Sequence, residues 1–265
     1  MSTLAVDADT TAIWMDGRSC AFGDASLHVL SHGLNNATCI FEGARAYGGR
    51  VFALGAHVER LERSARCFEM TLPCSARQIE TATQELVDKC DAPDVYIRTL
   101  AWRGAERIGI SAVGTVVHLA IAAIRWADPV PPQVREEGIR LSISNWRKPP
   151  PSAAPLTAKA ACHYAMASLS ADAARRAGFD DALFLDHEGN VAEATGANLF
   201  AVRQGVLWTP PAVHCLDGIT RRSIIELAKQ AGMDVREAPL TLADLYAASE
   251  IFLTGTAMEV LPVRQ

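Results

Sequence analysis

A proline-rich run near the middle of the chain does most to limit what the sequence can fold into. Asp128-Pro129-Val130-Pro131-Pro132 lies close to the midpoint of 265 residues. Proline fixes φ and lacks an N–H donor, so such a run holds neither a helix nor a central strand. A chain of this length forms one or two domains. We therefore predict two α+β domains, 1–127 and 135–265, joined by a linker at 128–134.

Composition excludes several classes of protein. Hydrophobic residues make up 49% and charged residues 21%, as in soluble globular proteins rather than disordered ones. A net charge of −5 argues against a dedicated nucleic-acid or anionic-membrane surface. No apolar run reaches the roughly 18 residues of a membrane span, and residues 1–11 lack the basic charge of a targeting segment. The seven cysteines show neither CxxC pairs nor zinc spacing. We expect a cytoplasmic protein with reduced thiols and no metal site.

Hydrophobic periodicity predicts helices and strands on both sides of the proline run. Apolar spacings of three and four predict helices at 58–68 and 79–90, with further helices at 161–178 and 219–231. Alternating or short apolar runs predict strands at 12–15, 95–102, 116–124, 139–143, 182–185, 198–202 and 251–253. Gly48-Gly49 indicates a hairpin turn. The mixture favours the α+β class for both domains.

Two charged residues stand alone among small apolar neighbours. Lys159 has no charged neighbour nearer than Lys148, and a buried amine of lowered pKa forms a Schiff base with an aldehyde cofactor. Glu193 has similar surroundings, and a buried carboxylate needs a partner such as a pyridinium nitrogen. The ordinary interpretations are a solvated lysine at a helix start and an exposed hairpin glutamate. These residues alone leave both interpretations open.

Other segments have the composition of anion-binding sites. Asp217-Gly218-Ile219-Thr220, with Thr220 as the cap, precedes a helix whose first N–H groups suit a phosphate. Thr254-Gly255-Thr256 is typical of a backbone nest. Arg60 lies beside the apolar stripe of its helix and suits a phosphate, whereas Arg98 shares a strand face with Tyr96 and suits a carboxylate. Caps and ion pairs are the ordinary alternatives. Together, an amine, a carboxylate and phosphate-binding groups are what pyridoxal phosphate requires.

Several motifs, in order, resemble one known family. The chain resembles the branched-chain amino-acid aminotransferases, which are fold-type IV pyridoxal-phosphate enzymes, from Ile13 to Arg264. The motifs are His32-Gly33-Leu34, Ile40-Phe41-Glu42-Gly43-Ala44-Arg45, His57-Val58-Glu59-Arg60-Leu61, Tyr96-Ile97-Arg98, Thr157-Ala158-Lys159-Ala160, Glu193 with Asn198-Leu199-Phe200, Gly218-Ile219-Thr220-Arg221 and Thr254-Gly255-Thr256-Ala257-Met258-Glu259. The resemblance implies a two-domain α+β fold with the cofactor in the interdomain cleft. It also implies a homodimer in which loops of one subunit cover the other's pocket.

The resemblance assigns roles to individual residues. Lys159 holds the cofactor as an internal aldimine and moves the proton between the substrate Cα and the cofactor's C4′. Glu193 keeps the pyridine nitrogen protonated, and Tyr164 hydrogen-bonds the phenolic oxygen. The implied phosphate-binding residues are Arg60, Ile219, Thr220 and Thr256, and Leu216 packs on the ring. The implied substrate pocket contains Phe41, Gly43, Asn36, Tyr96, Arg98 and Ala257.

The chain also departs from the family pattern. Asn36 and Ala37 replace a common tyrosine and glycine, and Ala197 replaces a glutamate. Pro129 and Val130 occupy a region where the family often has a tyrosine, and the chain ends at Gln265, earlier than typical members. A polar Asn36 in the side-chain pocket implies an amino donor other than, or beyond, leucine, isoleucine and valine, with 2-oxoglutarate as the expected acceptor.

Three alternatives to this aminotransferase remain at the level of sequence. A fold-type IV lyase resembling aminodeoxychorismate lyase requires the same cofactor residues. A D-amino-acid aminotransferase requires a pocket pattern that is not evident at Thr99-Leu100. A non-catalytic pyridoxal-phosphate-binding homologue needs only the phosphate site, so the presence of Lys159, Glu193 and Tyr164 argues against it.

Overall fold

The computed structural model describes residues 6–126, 128 and 130–265. Pro129 of the predicted linker lies outside the described residues, as do residues 1–5 and Ala127 at the two ends of the predicted first domain. The chain divides into two compact units. The first unit contains residues 6–126, 128 and 158–162, and the second contains 130–157 and 163–265. Both units combine helices with a sheet, as the α+β prediction requires.

The first unit is built on a six-stranded antiparallel sheet. Its strands are β1 (Thr11–Met15), β2 (Arg18–Cys20), β3 (Cys39–Tyr47), β4 (Arg50–Val51), β5 (Asp94–Arg103) and β6 (Val117–Arg125), in the order β2-β1-β6-β5-β3-β4. Gly43 pairs with Arg98, and Arg45 pairs with Tyr96. Since side chains alternate along strands, this register places Phe41, Gly43, Tyr96 and Arg98 on one face of the sheet.

The opposite face of this sheet forms the core of the first unit. Ile40, Ala44 and Ala46 of β3 are buried there. The helices of the unit are α1 (His32–Asn35), α2 (Leu54–Cys67) and α3 (Ala76–Cys90), and α2 and α3 contribute apolar residues to the same core. Residues 158–162 join this unit because Ala160 forms a β-bridge with Ile40.

The second unit contains eight strands in one branched sheet. They are β7 (Leu141–Arg147), β8 (Asp181–Leu185), β9 (Val191–Ala194), β10 (Asn198–Arg203), β11 (Val206–Thr209), β12 (Val235–Glu237), β13 (Glu250–Gly255) and β14 (Glu259–Pro262). The strand order is β12-β11-β10-β9-β8-β7, with β13 pairing β10 and β14. The helices are α4 (Pro132–Glu137), α5 (Tyr164–Arg176), α6 (Ile219–Gln230) and α7 (Leu242–Tyr246). Within the described ranges, every helix of the chain is too short or too polar to cross a bilayer.

One expectation about the proline run is wrong. Helix α4 begins at Pro132, the last residue of the run that was expected to exclude a helix. Proline is well suited to the first position of a helix, because the N–H it lacks has no partner there in any case and its fixed φ is helical. The run therefore ends in a helix start.

Candidate active site

Lys159 is held by its backbone on both sides. Its N–H donates to Ser64 Oγ on α2 at 3.0 Å, and its carbonyl accepts from Phe41 N–H on β3 at 2.9 Å. Its Nζ lies 4.7 Å from the centroid of the Phe41 ring. The two backbone bonds fix where the side chain starts, so the amine projects over the aromatic ring on the face of the sheet opposite the core.

Arg98 and Tyr96 lie beside the same ring. The Arg98 guanidinium carbon is 4.7 Å from the Phe41 centroid, and Nη2 donates to the Tyr96 hydroxyl at 2.8 Å. Burial raises the pKa of Tyr96, so its phenol stays a neutral hydrogen-bonding group. A Cβ at Gly43 would lie 2.5 Å from that hydroxyl, so the glycine makes room for Tyr96. Four predicted pocket residues, Phe41, Gly43, Tyr96 and Arg98, thus lie together on one face of the sheet, and Lys159 reaches that face over the Phe41 ring.

Asn36 is bound to a different part of the first unit. Its Nδ2 donates to the Gly109 carbonyl at 2.9 Å and lies 2.9 Å from His32 Nε2. The loop that follows β5 is therefore tied to the segment before β3. The polarity that Asn36 would give to a substrate pocket stays a prediction.

Arg60 lies in a buried ionic cluster of the first unit. Its Nε and Nη2 donate to Glu42 Oε1 and Oε2 at 2.6 and 2.8 Å, a two-pronged pairing between guanidinium and carboxylate. His57 Nδ1 is 2.8 Å from Glu42 Oε2. A neutral His57 donates to this carboxylate only when its proton is on Nδ1. The geometry therefore assigns the Nδ1–H tautomer to the neutral side chain. The cluster joins β3 to α2.

The pKa shifts in this cluster have a common origin. Burial would raise the pKa of Glu42, but the hydrogen bonds and charge of Arg60, with those of His57, outweigh it and lower that pKa to about 2. Burial lowers the pKa of His57 against the opposing effect of Glu42. The sequence reasoning missed Glu42 and His57 as a pair, although both stand in the quoted motifs.

Glu193 is the corresponding carboxylate of the second unit. It is buried on β9, with 8% of the residue exposed. Its Oε2 accepts from the Leu216 backbone N–H at 3.0 Å and from Asn198 Nδ2 at 3.4 Å, and its Oε1 lies 2.7 Å from Lys148 Nζ. Leu216 therefore contacts Glu193 through its backbone. The sequence identified Lys148 only as the charged residue nearest to Lys159 in the chain and did not indicate that it contacts Glu193.

Helix α6 presents its first N–H groups without a side-chain cap. Its N-cap is Gly218, so the prediction of Thr220 as the cap is wrong, and Ile219 and Thr220 are the first two helical residues. A Cβ at Gly218 would collide with Asn198 Oδ1, which explains why a glycine begins this helix. The leading N–H groups of a helix have no intrahelical acceptor and attract anions.

The end of β13 supplies the remaining predicted groups. Thr254 is fully buried, and among the described residues its hydroxyl has no hydrogen-bond partner. Thr256 and Ala257 follow in the turn between β13 and β14. Tyr164 begins α5 and packs against the cluster of Ala167, Phe184 and Ala192. The second unit thus offers a carboxylate, a helix N-terminus, hydroxyls and a tyrosine, which suit a phosphorylated pyridine.

One unit thus holds the amine of Lys159 and the other the buried carboxylate of Glu193, and both groups are of the kind that a pyridoxal-phosphate enzyme requires. The family model described as "Amino-transferase class IV" matches residues 39–265. A "Probable branched-chain-amino-acid aminotransferase" of Rickettsia bellii is 41% identical over 248 residues, covering 94% of this chain and 84% of that one. This chain belongs to the class IV aminotransferases, in the group of the branched-chain amino-acid aminotransferases.

Solved structures agree with this membership. The Escherichia coli branched-chain amino acid aminotransferase superposes with a TM-score of 0.92 at 36% identity, covering 96% of this chain and 86% of that one. The enzyme of the same name from Thermobaculum terrenum, solved in its PLP form, gives 0.87 at 30% identity, covering 97% and 86%. The predicted two-unit α+β fold of type IV is thereby confirmed.

Proposed function

We propose that the chain uses pyridoxal phosphate to transfer the amino group of an L-amino acid, branched-chain or closely related, to a 2-oxo acid. The observation that carries the proposal is the fixed amine of Lys159, which lies over Phe41 beside Arg98 and Tyr96. Family membership supports the reaction class, and the names of the relatives support the branched-chain substrate. A lyase, a D-amino-acid aminotransferase and a non-catalytic homologue receive no comparable support.

Pyridoxal phosphate, when bound, supplies an electron sink that stabilises negative charge at the substrate Cα. We propose that Lys159, Glu193 and Tyr164 hold its aldehyde carbon, ring nitrogen and phenolic oxygen. The phosphate would be bound by the N–H groups of α6 at Ile219 and Thr220, by Thr256 and by the Arg60 guanidinium, and Leu216 would pack on the ring. The buried hydroxyl of Thr254, which precedes Thr256 by two residues, is a further group that suits an anion.

The protein groups perform three tasks in this reaction. Lys159 Nζ takes the proton from the substrate Cα and returns it at C4′, which is general acid–base work by one amine. The Glu193 carboxylate holds a proton on the ring nitrogen. Arg98 and the Tyr96 hydroxyl bind a carboxylate of the substrate, because a guanidinium beside a phenol offers convergent donors. We propose 2-oxoglutarate as the acceptor, since it carries a second carboxylate for such a site.

We also propose a cytoplasmic homodimer. Ile108, Ile110 and Val113, on the loop after β5, are 86%, 91% and 86% exposed. Adjacent apolar side chains at this exposure mark an interaction surface. Sedimentation of Ile110→Asp should show monomer where the unaltered chain is a dimer. Tyr246→Asp, at a side chain 87% exposed in the second unit, should leave the dimer intact; equal sedimentation of both variants would contradict this assignment.

The absorption spectrum tests the proposed function directly. Protein loaded with pyridoxal phosphate should absorb visible light, lose that band on adding one class of L-amino acid, and regain it on adding a 2-oxo acid. Lys159→Ala should abolish the band and lower turnover by about 10⁴-fold or more. Lys229→Ala, at an exposed position, is the control. A band that no amino acid bleaches would contradict transamination.

A further inference from the structure

Lys148 crosses a strand to reach Glu193. It directly follows β7, and its backbone N–H donates to the Leu185 carbonyl at 2.8 Å. Strand β8 lies between β7 and β9, and the Lys148 ammonium is 5.0 Å from the centroid of Phe184 on β8. Beyond Phe184 it lies 2.7 Å from Glu193 Oε1. The side chain is therefore fixed at its base and held at its tip.

An irregularity in β9 makes this approach possible. Pairing between β8 and β9 shifts register between Leu183 and Leu185. Val191 and Ala194 consequently both belong to the main core cluster of the second unit, while Ala192 packs with Phe184. Glu193 lies between Ala192 and Ala194 in the chain, and its side chain points toward Lys148. Bulges redirect single side chains in this way beside active sites.

The carboxylate needs a counter-charge where it is. The side chains of Glu193 and Lys148 are 11% and 14% exposed. Both donors to Oε2, the Leu216 N–H and the Asn198 amide, are neutral, so the ammonium of Lys148 compensates the charge of the carboxylate. Removing one partner of such a buried pair leaves an uncompensated charge, which is strongly destabilising.

We propose that Lys148 is a positioning residue that serves as the counter-ion of Glu193 in the cofactor-free protein and shares this carboxylate with the pyridinium once the cofactor is bound. This inference rests on the proposed role of Glu193. A carboxylate oxygen accepts two hydrogen bonds, so Oε1 has room for both cations. The ammonium holds the Glu193 carboxylate in its orientation before the cofactor arrives, and it weakens the pull on the pyridinium because the two cations compete.

A thermodynamic cycle follows from this competition. Lys148→Met keeps most of the apolar stem over Phe184 but removes the charge. The cofactor-free protein should then lose about 5–10 °C in Tm. The loaded protein should lose about half as much, because the pyridinium still neutralises Glu193. Since stability and binding are linked, pyridoxal phosphate should bind the variant about tenfold more tightly. Calorimetry of both forms and fluorescence titration with pyridoxal phosphate measure these quantities.

Matched variants separate this role from simple packing. Lys148→Arg should restore the Tm of both forms. Arg203→Met breaks another pair of the second unit, Arg203–Asp244 at 2.6 Å, and should lower both forms equally. In a Glu193→Gln background, Lys148→Met should add little to the loss of Tm in the cofactor-free protein. If Lys148→Met does not fold, Lys148→Gln carries the same comparison.

Two results would overturn the inference. Equal losses of Tm in the two forms of Lys148→Met would make Lys148 merely structural. A larger loss in the loaded form, with weaker binding, would make it a direct supporter of the cofactor. Failure of the unaltered protein to bind pyridoxal phosphate would instead refute the proposed function. In that case the Tm of the cofactor-free Glu193→Gln, Lys148→Met double variant would still test whether the two residues form a stabilising pair.

Discussion

Glu42 and Glu193 are buried carboxylates, one in each unit, with very different partners. Glu42 is bound on both oxygens by Arg60 and His57, and the side chains of all three are at most 4% exposed. Glu193 is bound by a backbone N–H, an amide and the ammonium of a flexible lysine, Lys148. The first arrangement fastens a strand to a helix. The second leaves room for a change of counter-ion, which a cofactor site needs.

The largest effect should come from breaking the closed cluster of Glu42, His57 and Arg60. Glu42→Gln leaves Arg60 buried without its counter-charge, so the first unit should lose about 3–5 kcal/mol of unfolding free energy. Urea unfolding of the cofactor-free protein measures this loss. Glu59→Gln, which removes an exposed pair with Arg63 on the same helix, should cost about 0.5 kcal/mol or less. A similar small loss for Glu42→Gln would contradict the structural role assigned to the cluster.

Glu193→Gln should affect the reaction more than the fold. A neutral amide does not hold a proton on the ring nitrogen, so turnover should fall by about 10²–10³-fold, as when a single electrostatic stabiliser is removed. Unfolding free energy should change less than for Glu42→Gln, because Lys148 is able to turn toward solvent. Steady-state kinetics and urea unfolding on one preparation test this contrast. The comparison between the two carboxylates would fail if the substitution removed stability and left turnover intact.

The closed cluster should also make stability depend on pH in one direction. Burial lowers the pKa of His57 below its ordinary value of 6.5, so the unfolded chain binds that proton first and stability falls as pH drops below about 6.5. Glu42, with its pKa lowered from 4.5 to about 2, adds a second loss between those values. Each proton contributes a slope of at most about 1.4 kcal/mol per pH unit. Unfolding midpoints from pH 8 to pH 2 measure both losses, and His57→Asn should flatten the upper part. A rise in stability on acidification would contradict the assignment of a neutral His57.

The sequence predicted the Lys159 group better than the Glu193 group. Alternation along the single strand β5 was enough to place Arg98 with Tyr96, and the register of β3 with β5 then brought in Phe41. Lys148 follows β7 and Glu193 lies on β9, with β8 between them. Their contact therefore depends on this strand order and on the bulge in β9. Neither the strand order nor the bulge is predicted by the local sequence pattern. The motifs also failed to show that Arg60 pairs with Glu42, because both residues look like independent members of their own elements.

The fold was predictable in the same uneven way. The helices around α2, α3, α5 and α6 and the seven predicted strands were confirmed, whereas β2 and the bounds of β3 were not predicted. Strands β9, β11, β12 and β14 were missed because each has only three or four residues. A run that short does not distinguish alternation from chance. Their pairing depends on the neighbouring strands of the second unit, which supply the hydrogen bonds that the local sequence does not specify.

The smallest effect concerns the connection between the closed cluster and the amine. Ser64 is fully buried, donates to the Arg60 carbonyl at 2.9 Å and accepts the Lys159 N–H at 3.0 Å. Ser64→Ala removes the hydroxyl that accepts this N–H, which should cost about 1–3 kcal/mol of unfolding free energy. Because the Phe41–Lys159 backbone bond remains, turnover should fall by about tenfold or less. Ser223→Ala, on α6, removes a hydroxyl that donates to the Ile219 carbonyl of the same helix and should leave turnover unchanged. If Ser64→Ala reduced turnover as strongly as Glu193→Gln, Ser64 would do more in the reaction than hold the backbone of Lys159.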